Sequence, residues 1–250
     1  MVRLPRINWV LIVSGILFCS VSWRSEASSN SSKQSASRPS ATTGKISQAR
    51  KPLPYNKPAK YVALTFDDGP SPVYTHRILA ILKREHVPAT FFVLGNQTER
   101  HSDIVKAEAV QGNQVANHSW NHKNMNKAKN KNIEKDLETT RKEICRVTGI
   151  DTRYVRLPYG NANKRVRKKV RAMKLIRIYW DKDPRDWSRS GVKKIIGRAT
   201  HKVRNGQIIL MHDGGGSRSQ TVKALQWVID KLKKQGFTFY SIIESKHPKS

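Results

Sequence analysis

From residue 60 onwards, short runs of β-branched and aromatic residues alternate with amphipathic stretches, and no other feature constrains the fold as strongly. Such alternation is typical of parallel α/β sheets, in which a helix packs back on the sheet after each strand. We therefore predict a parallel α/β fold whose sheet closes into a barrel. An open doubly wound sheet is the alternative that periodicity does not exclude. No glycine-rich nucleotide-binding fingerprint follows any predicted strand.

Seven strands and three helices can be placed from the pattern of apolar residues. The strands are predicted at residues 61–66, 89–93, 114–117, 154–156, 175–180, 207–210 and 237–241. The helices are marked at three- and four-residue spacing by Ile78, Leu79 and Leu82, by Ile133, Leu137 and Ile144, and by Val222, Leu225, Val228, Ile229 and Leu232. A basic stretch at residues 164–174 predicts a surface helix with Val166, Val170 and Met173 on one side and a solvated cationic face.

The N-terminal quarter of the chain differs in composition from the rest. A basic start, an apolar run at residues 9–21 and small residues after it predict a signal peptide at residues 1–27, and hence an exported protein that is secreted, periplasmic or wall-associated. An N-terminal anchor is the alternative, but the run is shorter than the roughly 20 residues of a membrane-spanning helix, so no stable span is expected. Residues 28–58 predict a disordered basic linker, which precedes a catalytic domain at residues 59–245.

The charge and the cysteines narrow the possible partners and metal ligands. The chain has 48 Lys and Arg against 18 Asp and Glu, a net charge of +30, which attracts nucleic acid, anionic cell wall or acidic polysaccharide. Cys19 lies within the apolar run, which leaves Cys145 as the cysteine expected after export. This count excludes an intrachain disulfide and argues against a thiolate metal site, so a metal must be held by His and carboxylate side chains.

Two adjacent carboxylates close the first predicted strand, where parallel α/β folds place their active sites. The strand runs into Asp67 and Asp68, and Gly69 and Pro70 then force a turn. Because neighbouring side chains of a strand point to opposite faces, the pair suits two roles, with one carboxylate on a metal and the other facing water or substrate. The alternative is a polar turn in which an Asp caps the following helix.

Two histidines four residues apart follow the strand at residues 114–117. His118 and His122 could join one carboxylate in an open three-ligand site that leaves a position for water. A cation held in this way lowers the pKa of water from about 15.7 toward about 7. Two unrelated surface histidines are the alternative. The helical metalloprotease pattern is excluded, because Ser119 and not Glu follows the first histidine.

An arginine and a turn follow the strand at residues 154–156. Arg156 near a carboxylate would keep that carboxylate ionised and oriented. Pro158 and Gly160 stiffen and turn the backbone around Tyr159, so that an N–H there could face a developing oxyanion. Turns of this type are common, so this segment indicates a catalytic site only in combination with the other segments.

Acids, tryptophans and a histidine follow the fifth and sixth strands. Residues 180–187 contain three acids beside two tryptophans, whose rings can stack on sugar faces, and an acid there could orient a catalytic histidine. The alternative places Trp187 in the core and uses the acids as loop caps. After the strand at residues 207–210, His212 could serve as general acid to a leaving amine, with Asp186 stabilising its protonated form.

Taken together and in this order, the five segments resemble the polysaccharide deacetylases, the family-four carbohydrate esterases that include chitin, peptidoglycan and nodulation-oligosaccharide deacetylases. The matching segments are residues 65–70, 118–122, 156–160, 183–187 and 210–213. One small departure is Leu157, where many relatives have proline. The resemblance implies a distorted, incomplete (β/α) barrel of the α/β class, preceded in this chain by the disordered basic segment.

The resemblance also implies a catalytic role for four residues. Asp67 would be the general base, and Arg156 would tether it. His212 would be the general acid, tuned by Asp186. No catalytic position of the family pattern is broken, which argues against a pseudoenzyme.

The remaining implied roles concern a metal and the substrate. The metal ligands would be Asp68, His118 and His122. They would hold one divalent ion, with zinc expected and cobalt or nickel as alternatives. Tyr159 would supply a backbone N–H to the oxyanion, and Trp187 and Leu210 would line the pocket for the acetyl methyl group.

The expected reaction is metal-dependent hydrolysis of the acetamide of N-acetylglucosamine-type units in peptidoglycan or a chitin-like polysaccharide, with release of acetate. An O-acetyl esterase acting on xylan or an exopolysaccharide is the alternative. Two rivals are a noncatalytic wall-binding protein and a basic metal-dependent phosphoesterase, although the latter usually gathers more carboxylates around two metals. The expected partners are the acetylated polysaccharide and, through the basic surface, an anionic wall, with no specific nucleic acid. A monomer is expected.

Overall fold

The computed structural model describes residues 60–242, which form a single parallel sheet surrounded by helices. The predicted signal peptide or anchor, the predicted linker and the outer ends of the predicted domain lie outside the described residues. The strands are β1 (Lys60–Gly69), β2 (Thr90–Val93), β3 (Gln114–Asn117), β4 (Tyr154–Val155), β5 (Ile176–Arg177), β6 (Gln207–His212) and β7 (Phe237–Phe239).

The strands form a closed circuit. Their order is β5-β4-β3-β2-β1-β6, every pair is parallel, and β7 pairs with the first residues of β1. The chain leaving β5 then reaches β6 through a bridge between Lys182 and Ile209, where the Leu210 N–H donates to the Lys182 carbonyl at 2.9 Å. The prediction of a distorted barrel with fewer repeats than a full eight is therefore confirmed.

Seven α-helices connect the strands of the described domain. They are α1 (Thr75–Glu85), α2 (Gly95–Arg100), α3 (Ser102–Val110), α4 (Asn130–Thr148), α5 (Lys164–Ala172), α6 (Val192–Thr200) and α7 (Ser219–Lys234). The three helices predicted from apolar spacing are α1, α4 and α7, and their marker residues are buried apart from Val222, which is half-buried. The predicted basic helix is α5, which buries Val166 and Val170 and ends just before Met173. None of the described helices is long and apolar enough to cross a membrane.

Alternate residues of β1 face two different environments. Val62, Leu64 and Phe66 belong to the large apolar cluster that includes residues of α1 and α7. Ala63 packs in the smaller cluster on the opposite face of the sheet. The period-two geometry of a strand puts Thr65 and Asp67 on the same inner face as Ala63, so β1 delivers polar side chains to the interior of the barrel.

Most strand boundaries differ from the predictions by one or two residues, and the larger differences concern β1, β5 and β6. β1 and β6 continue beyond residues 66 and 210, as far as Gly69 and His212, so they carry the polar residues within the sheet itself. β5 covers two residues instead of the predicted 175–180, because the chain leaves β4 after the bond from the Ile178 N–H to the Val155 carbonyl and crosses to β6. The alternative of an Asp cap is wrong, since α1 begins after Tyr74 without a side-chain cap.

One buried acid opposes the stability of this fold. Glu108 on α3 is fully buried, and neither of its carboxylate oxygens has a hydrogen-bond partner among the described residues. Burial, and then the charge of Asp213, raise the pKa of Glu108 well above its usual value. The folded protein therefore favours the neutral carboxyl of Glu108. The free energy of unfolding falls as the pH rises from the ordinary pKa of a glutamate toward the raised pKa of Glu108 in the folded state.

Replacing the carboxyl of Glu108 by an apolar group of similar length should remove this loss. We expect Glu108→Met to raise the free energy of unfolding by about 1–3 kcal/mol at pH 8 and by clearly less at pH 5, measured by urea denaturation. The matched control is Glu99→Met at an exposed position, which should show no such difference between the two pH values. An equal change at both pH values in the Glu108 variant would contradict the assignment.

Candidate active site

A β-bulge at the end of β1 turns two neighbouring carboxylates toward one histidine. Asp67 pairs with Phe92 and Gly69 with Val93, so Asp68 is an extra residue, and its φ of 71° lies in the left-handed region. As a result Asp67 Oδ2 lies 3.7 Å and Asp68 Oδ1 lies 3.3 Å from His118 Nε2. The expectation that the two side chains take opposite faces is wrong, because the bulge interrupts the alternation.

One carboxylate and two imidazoles meet at this point. Asp68 Oδ1 lies 3.3 Å from His118 Nε2 and 3.3 Å from His122 Nε2, and one donor atom from each residue lies within 4.8 Å of the others. His118 Nδ1 lies 2.7 Å from the Arg156 carbonyl, which can only accept, so Nδ1 carries a proton and Nε2 is the nitrogen left to face a metal. Asp68 Oδ1 is buried without a hydrogen-bond partner among the described residues. These three donors fit an open site for a divalent cation.

The charges of the histidines hold Asp68 ionised. Burial alone would raise the pKa of Asp68, but the close approach and charge of His118, followed by the charge of His122, bring it well below the usual value. Burial lowers the pKa of His122, and the charge of Asp68 only partly opposes this. Burial acts to lower the pKa of His118 as well, but the charges of Asp67 and Asp68 raise it overall. Metals bind the carboxylate and the neutral imidazole, so a cation bound here would displace the proton of His118.

The guanidinium of Arg156 lies fully buried inside the barrel. Its Nη1 donates to Asp67 Oδ1 at 2.6 Å and to Thr65 Oγ1 at 2.8 Å, and its Nη2 donates to the Tyr179 carbonyl at 3.2 Å. The guanidinium also lies 4.1 Å from the centroid of the Phe92 ring. Burial lowers the pKa of Arg156, while Asp67 opposes this change. Because Arg156 occupies Oδ1 of Asp67, Oδ2 remains for a water or substrate.

A second carboxylate fixes the histidine at the end of β6. Asp186 Oδ1 lies 2.8 Å from His212 Nδ1, and Asp186 Oδ2 accepts from the His212 backbone N–H at 2.9 Å and from the Thr221 hydroxyl at 2.8 Å. Burial alone would lower the pKa of His212, but the hydrogen bond and charge of Asp186 raise it overall. The imidazole is thereby favoured in its protonated form, with Nε2–H available to the cavity that His212 lines.

The residues predicted from sequence converge on one open cavity of about 440 Å³. Its walls are formed by Asp67, Asp68, His118, His122, Leu157, Tyr159, Gly160, Trp180, Asp183, Trp187, Leu210 and His212. Tyr159 and Trp187 are largely exposed at the mouth, and Leu210 is buried. Arg156 and Asp186 do not line the cavity, but they contact the two residues that do, Asp67 and His212. The structure therefore brings all ten predicted residues to one place.

Sequence reasoning missed several supporting residues. Thr65 and Thr221 bond Arg156 and Asp186, but a lone threonine in a strand or helix carries no signal of such a contact. Asp213 follows His212 and received no role of its own; its carboxyl accepts from the Thr75 hydroxyl at 2.5 Å, and burial raises its pKa to about 7. Trp180 packs where a Cβ on Gly160 would lie, so this glycine is required by close contact.

Fold and site together define a class: an α/β barrel hydrolase with an Asp-His-His cluster, a free carboxylate and a carboxylate-paired histidine. The family model described as polysaccharide deacetylase matches residues 55–177, which include the Asp68, His118 and His122 cluster. A peptidoglycan-N-acetylglucosamine deacetylase of Bacillus cereus is 35% identical over 187 residues, covering 74% of this chain and 87% of that protein. A chitooligosaccharide deacetylase of Sinorhizobium fredii is 36% identical over 195 residues, covering 74% and 91%.

A solved structure agrees with the sequence relatives. The peptidoglycan deacetylase PdaC from Bacillus subtilis superposes with a TM-score of 0.70 at 34% identity, covering 76% of this chain and 92% of that one. The chain belongs to the polysaccharide deacetylase family. The resemblance noted from the five segments is thus confirmed, together with the fold that it implied.

The backbone of Asp68 lies against Gly214, and this contact offers a test of the cluster. A Cβ on Gly214 would lie 1.9 Å from the Asp68 carbonyl oxygen, so a side chain there must displace Asp68. We expect Gly214→Ala to weaken the binding of Zn²⁺ by about 10–100-fold, measured by isothermal titration calorimetry.

The control for this substitution is Gly197→Ala within α6, where a Cβ meets no atom within 4 Å. This variant should bind Zn²⁺ like the unsubstituted protein and gain about 0.5–1 kcal/mol in stability. A folded Gly214→Ala protein with unchanged affinity would show that the contact does not position Asp68.

Proposed function

We propose that this protein hydrolyses the acetamide of N-acetylglucosamine-type units in a cell-wall or extracellular polysaccharide, releasing acetate and leaving a free amine. The main observation behind this proposal is that one cavity is lined by Asp67, by His212 and by the cluster of Asp68, His118 and His122. Asp67 has one carboxylate oxygen not bonded to Arg156, and the pKa of His212 is raised. The names of the relatives, which are peptidoglycan and chitooligosaccharide deacetylases, support this substrate class.

The proposed cofactor is one divalent cation held by Asp68, His118 and His122, with zinc the preferred metal and cobalt or nickel as alternatives. The fit rests on the donor set and on the buried Asp68 Oδ1, which lacks a hydrogen-bond partner within the described domain. When bound, such a cation polarises a carbonyl and makes water more acidic.

Asp67 and His212 divide the proton transfers between them. Asp67 Oδ2 accepts a proton from the attacking water, while Arg156 fixes the other oxygen and keeps the carboxylate oriented. The water oxygen bonds to the acetyl carbon, and the bond from that carbon to nitrogen then breaks. His212 Nε2–H donates its proton to the departing amine, and Asp186 stabilises the imidazolium before that transfer.

The remaining walls suit a small acyl group. Tyr159 lines the cavity in a turn where its φ is 61°, and we assign to its backbone N–H the stabilisation of the negative charge that develops on the carbonyl oxygen. Leu210 and Trp187 offer apolar surface to the acetyl methyl group. Tyr159 and Trp187 expose aromatic rings at the mouth, where sugar rings can stack.

The proposal also covers where the protein acts and in which oligomeric state, and these points rest on features outside the cavity. Export through residues 1–27, attraction of the +30 chain to an anionic wall and action as a monomer all belong to this proposal. Peptidoglycan or a related N-acetylglucosamine polymer is the proposed substrate. Asp68, His118 and His122 are the one metal-type cluster within residues 60–242, which argues against a two-metal phosphoesterase acting on nucleic acid.

The direct test is acetate release by the purified protein. We expect release from peptidoglycan and chitin oligomers, its loss with a chelator and its recovery on adding Zn²⁺. Release from acetylated xylan alone would favour an O-acetyl esterase. Metal binding without release from any glycan would favour a noncatalytic wall-binding protein and overturn the proposal.

Two variants separate metal binding from proton transfer within the same assay. Asp68→Ala should abolish metal binding and activity together. His212→Ala should keep the metal and lose about 10²–10⁴-fold in kcat. Full activity in either variant would contradict the roles assigned here.

The pH profile tests the pairing of Asp186 with His212. Because the protonated imidazole is the active form, activity falls as the pH rises through the raised pKa of His212. Asp186→Asn removes the carboxylate, so the alkaline limb of the kcat profile should move to lower pH by about one unit. Thr221→Val keeps the carboxylate and removes one hydrogen bond to it, and should move the limb less. An unshifted limb in Asp186→Asn would exclude this pair as its origin.

A further inference from the structure

Another cavity, of about 450 Å³, lies where α6 and α7 end. The two helices are held together there by Gln235, whose side-chain NH₂ group donates to the Thr200 carbonyl at 3.1 Å. The residues that line the cavity are Gly197, Thr200, His201, Lys202, Lys231, Lys234 and Gln235. Three lysines and a histidine thus share one cavity, and none of the residues that line it is an acid.

This cavity and the catalytic cavity lie at opposite ends of the barrel. The catalytic residues occupy the carboxyl ends of their strands, with His212 as the last residue of β6. In contrast, α6 and α7 return the chain to the amino ends of β6 and β7, which begin at Gln207 and Phe237. The six residues of β6 span about 17 Å at about 3.3 Å per residue. A ligand held where α6 and α7 end therefore leaves the catalytic cavity open.

The fold does not use the three lysines that line this cavity. Lys202, Lys231 and Lys234 are exposed, and their ammonium groups make neither an ion pair nor a hydrogen bond within residues 60–242. The carbonyl of His201, just after α6, accepts instead from the ammonium group of Lys182 at 2.7 Å. The three ammonium groups are therefore available to bind an anion.

The acids of the neighbouring elements are bonded to other groups. Glu85 pairs with the ammonium group of Lys233 at 2.8 Å. Asp230 accepts from a glutamine side chain of its own helix at 2.9 Å, and Asp181 accepts from the Ile208 N–H at 2.8 Å. The positive charge of the cavity is therefore left for a ligand to neutralise.

The backbone of Lys202 is a second, independent observation at this cavity. Its φ of 48° lies in the left-handed region, which glycine and asparagine adopt more readily than lysine. The fold therefore loses some stability by having a lysine here, and that lysine supplies one of the three cations of the cavity. Backbone strain of this kind is concentrated at functional sites.

The residue types that line the cavity favour one kind of anion. Arginine is the side chain that binds planar carboxylates through two parallel hydrogen bonds, and none lines this cavity. Nor does any aromatic ring, on which the bases of a single-stranded nucleic acid would stack. The ammonium group of lysine is a compact point charge and a common partner of phosphate. The lining therefore suits a ligand that is recognised through its phosphate groups.

We propose that this cavity binds the phosphate groups of an anionic polymer, with Lys202, Lys231 and Lys234 as the contacting cations. Three ammonium groups exceed the charge of one phosphodiester, so neighbouring phosphates of one chain bind together. A polymer held at this end anchors the protein while the catalytic cavity stays open to another chain. The inference goes beyond the proposed hydrolysis and does not depend on it, because it assigns to one site an attraction that net charge alone would spread over the surface.

The test measures the binding of a fluorescently labelled linear polyphosphate by anisotropy at several NaCl concentrations. The tested variant is Lys202→Asn/Lys231→Gln/Lys234→Gln, in which asparagine suits the left-handed backbone. Each lysine that contacts a phosphate contributes about 0.7–0.9 to the slope of log affinity against log salt concentration. The magnitude of this slope should therefore fall by about two in the variant, and the affinity at the lowest salt concentration by roughly ten-fold or more.

The matched control is Lys164→Gln/Lys168→Gln/Lys174→Gln, which removes three exposed charges in and just after α5. Its slope should stay close to that of the unsubstituted protein, because only the net charge has changed. Equal losses in the two variants, or no loss in the first, would show that polyphosphate binds through net charge alone. Either result would overturn the site.

Two further polymers test the chemistry of the ligand. Poly-L-glutamate should bind the unsubstituted protein and both variants alike, and a loss confined to the first variant would overturn the assignment to phosphate. A mixed-sequence DNA strand should bind no more tightly than an abasic strand of equal length, and a preference for the bases would identify nucleic acid instead. Acetate release should be equal in all three proteins, and its absence would overturn the proposed function without affecting this site.

Discussion

The buried guanidinium of Arg156 holds together the interior of the barrel and the residues that line the cavity. Arg156 bonds to Thr65 and Asp67 on β1 and to the Tyr179 carbonyl beyond β5, while its own carbonyl receives the ring of His118. A charge buried in this way is tolerated only when it is paired and hydrogen-bonded, and here the bonds of Arg156 orient both Asp67 and His118. Removing Arg156 would leave Asp67 buried and uncompensated, so stability and chemistry depend on one side chain.

Two buried carboxylates, one in the wall of the cavity and one behind His212, differ in the partners that hold them. Asp67 is held by a guanidinium that does not release a proton under ordinary conditions, so this pair orients the carboxylate that we propose as the base. Asp186 is held against the imidazole of His212 and raises its pKa, so this pair favours the protonated form that we propose as the general acid. In the reaction that we propose, this difference sets the direction of proton transfer, from the attacking water to Asp67 and from His212 to the amine.

The sequence was informative where local pattern decides structure and silent where long-range contacts decide it. Apolar spacing located α1, α4 and α7, and polar residues at strand ends located the cavity, because parallel strands bring their carboxyl ends to one edge. The bulge at Asp68 was not predictable, since it depends on the register between β1 and β2. Likewise the hydroxyl of Thr221 reaches Asp186 only through the packing of α7, and the short β5 reflects a crossing to β6.

The bridge between Lys182 and Ile209 joins β6 to a segment outside the strands, whereas the other junctions of the sheet pair one strand with another. That segment carries Trp180, Asp183 and Trp187, which form one wall of the cavity. Insertions or exchanges in this segment leave the strand ladders intact while reshaping that wall. Substitutions in this segment can therefore change which acyl groups and sugars the cavity accepts, while the pairing of the strands is kept.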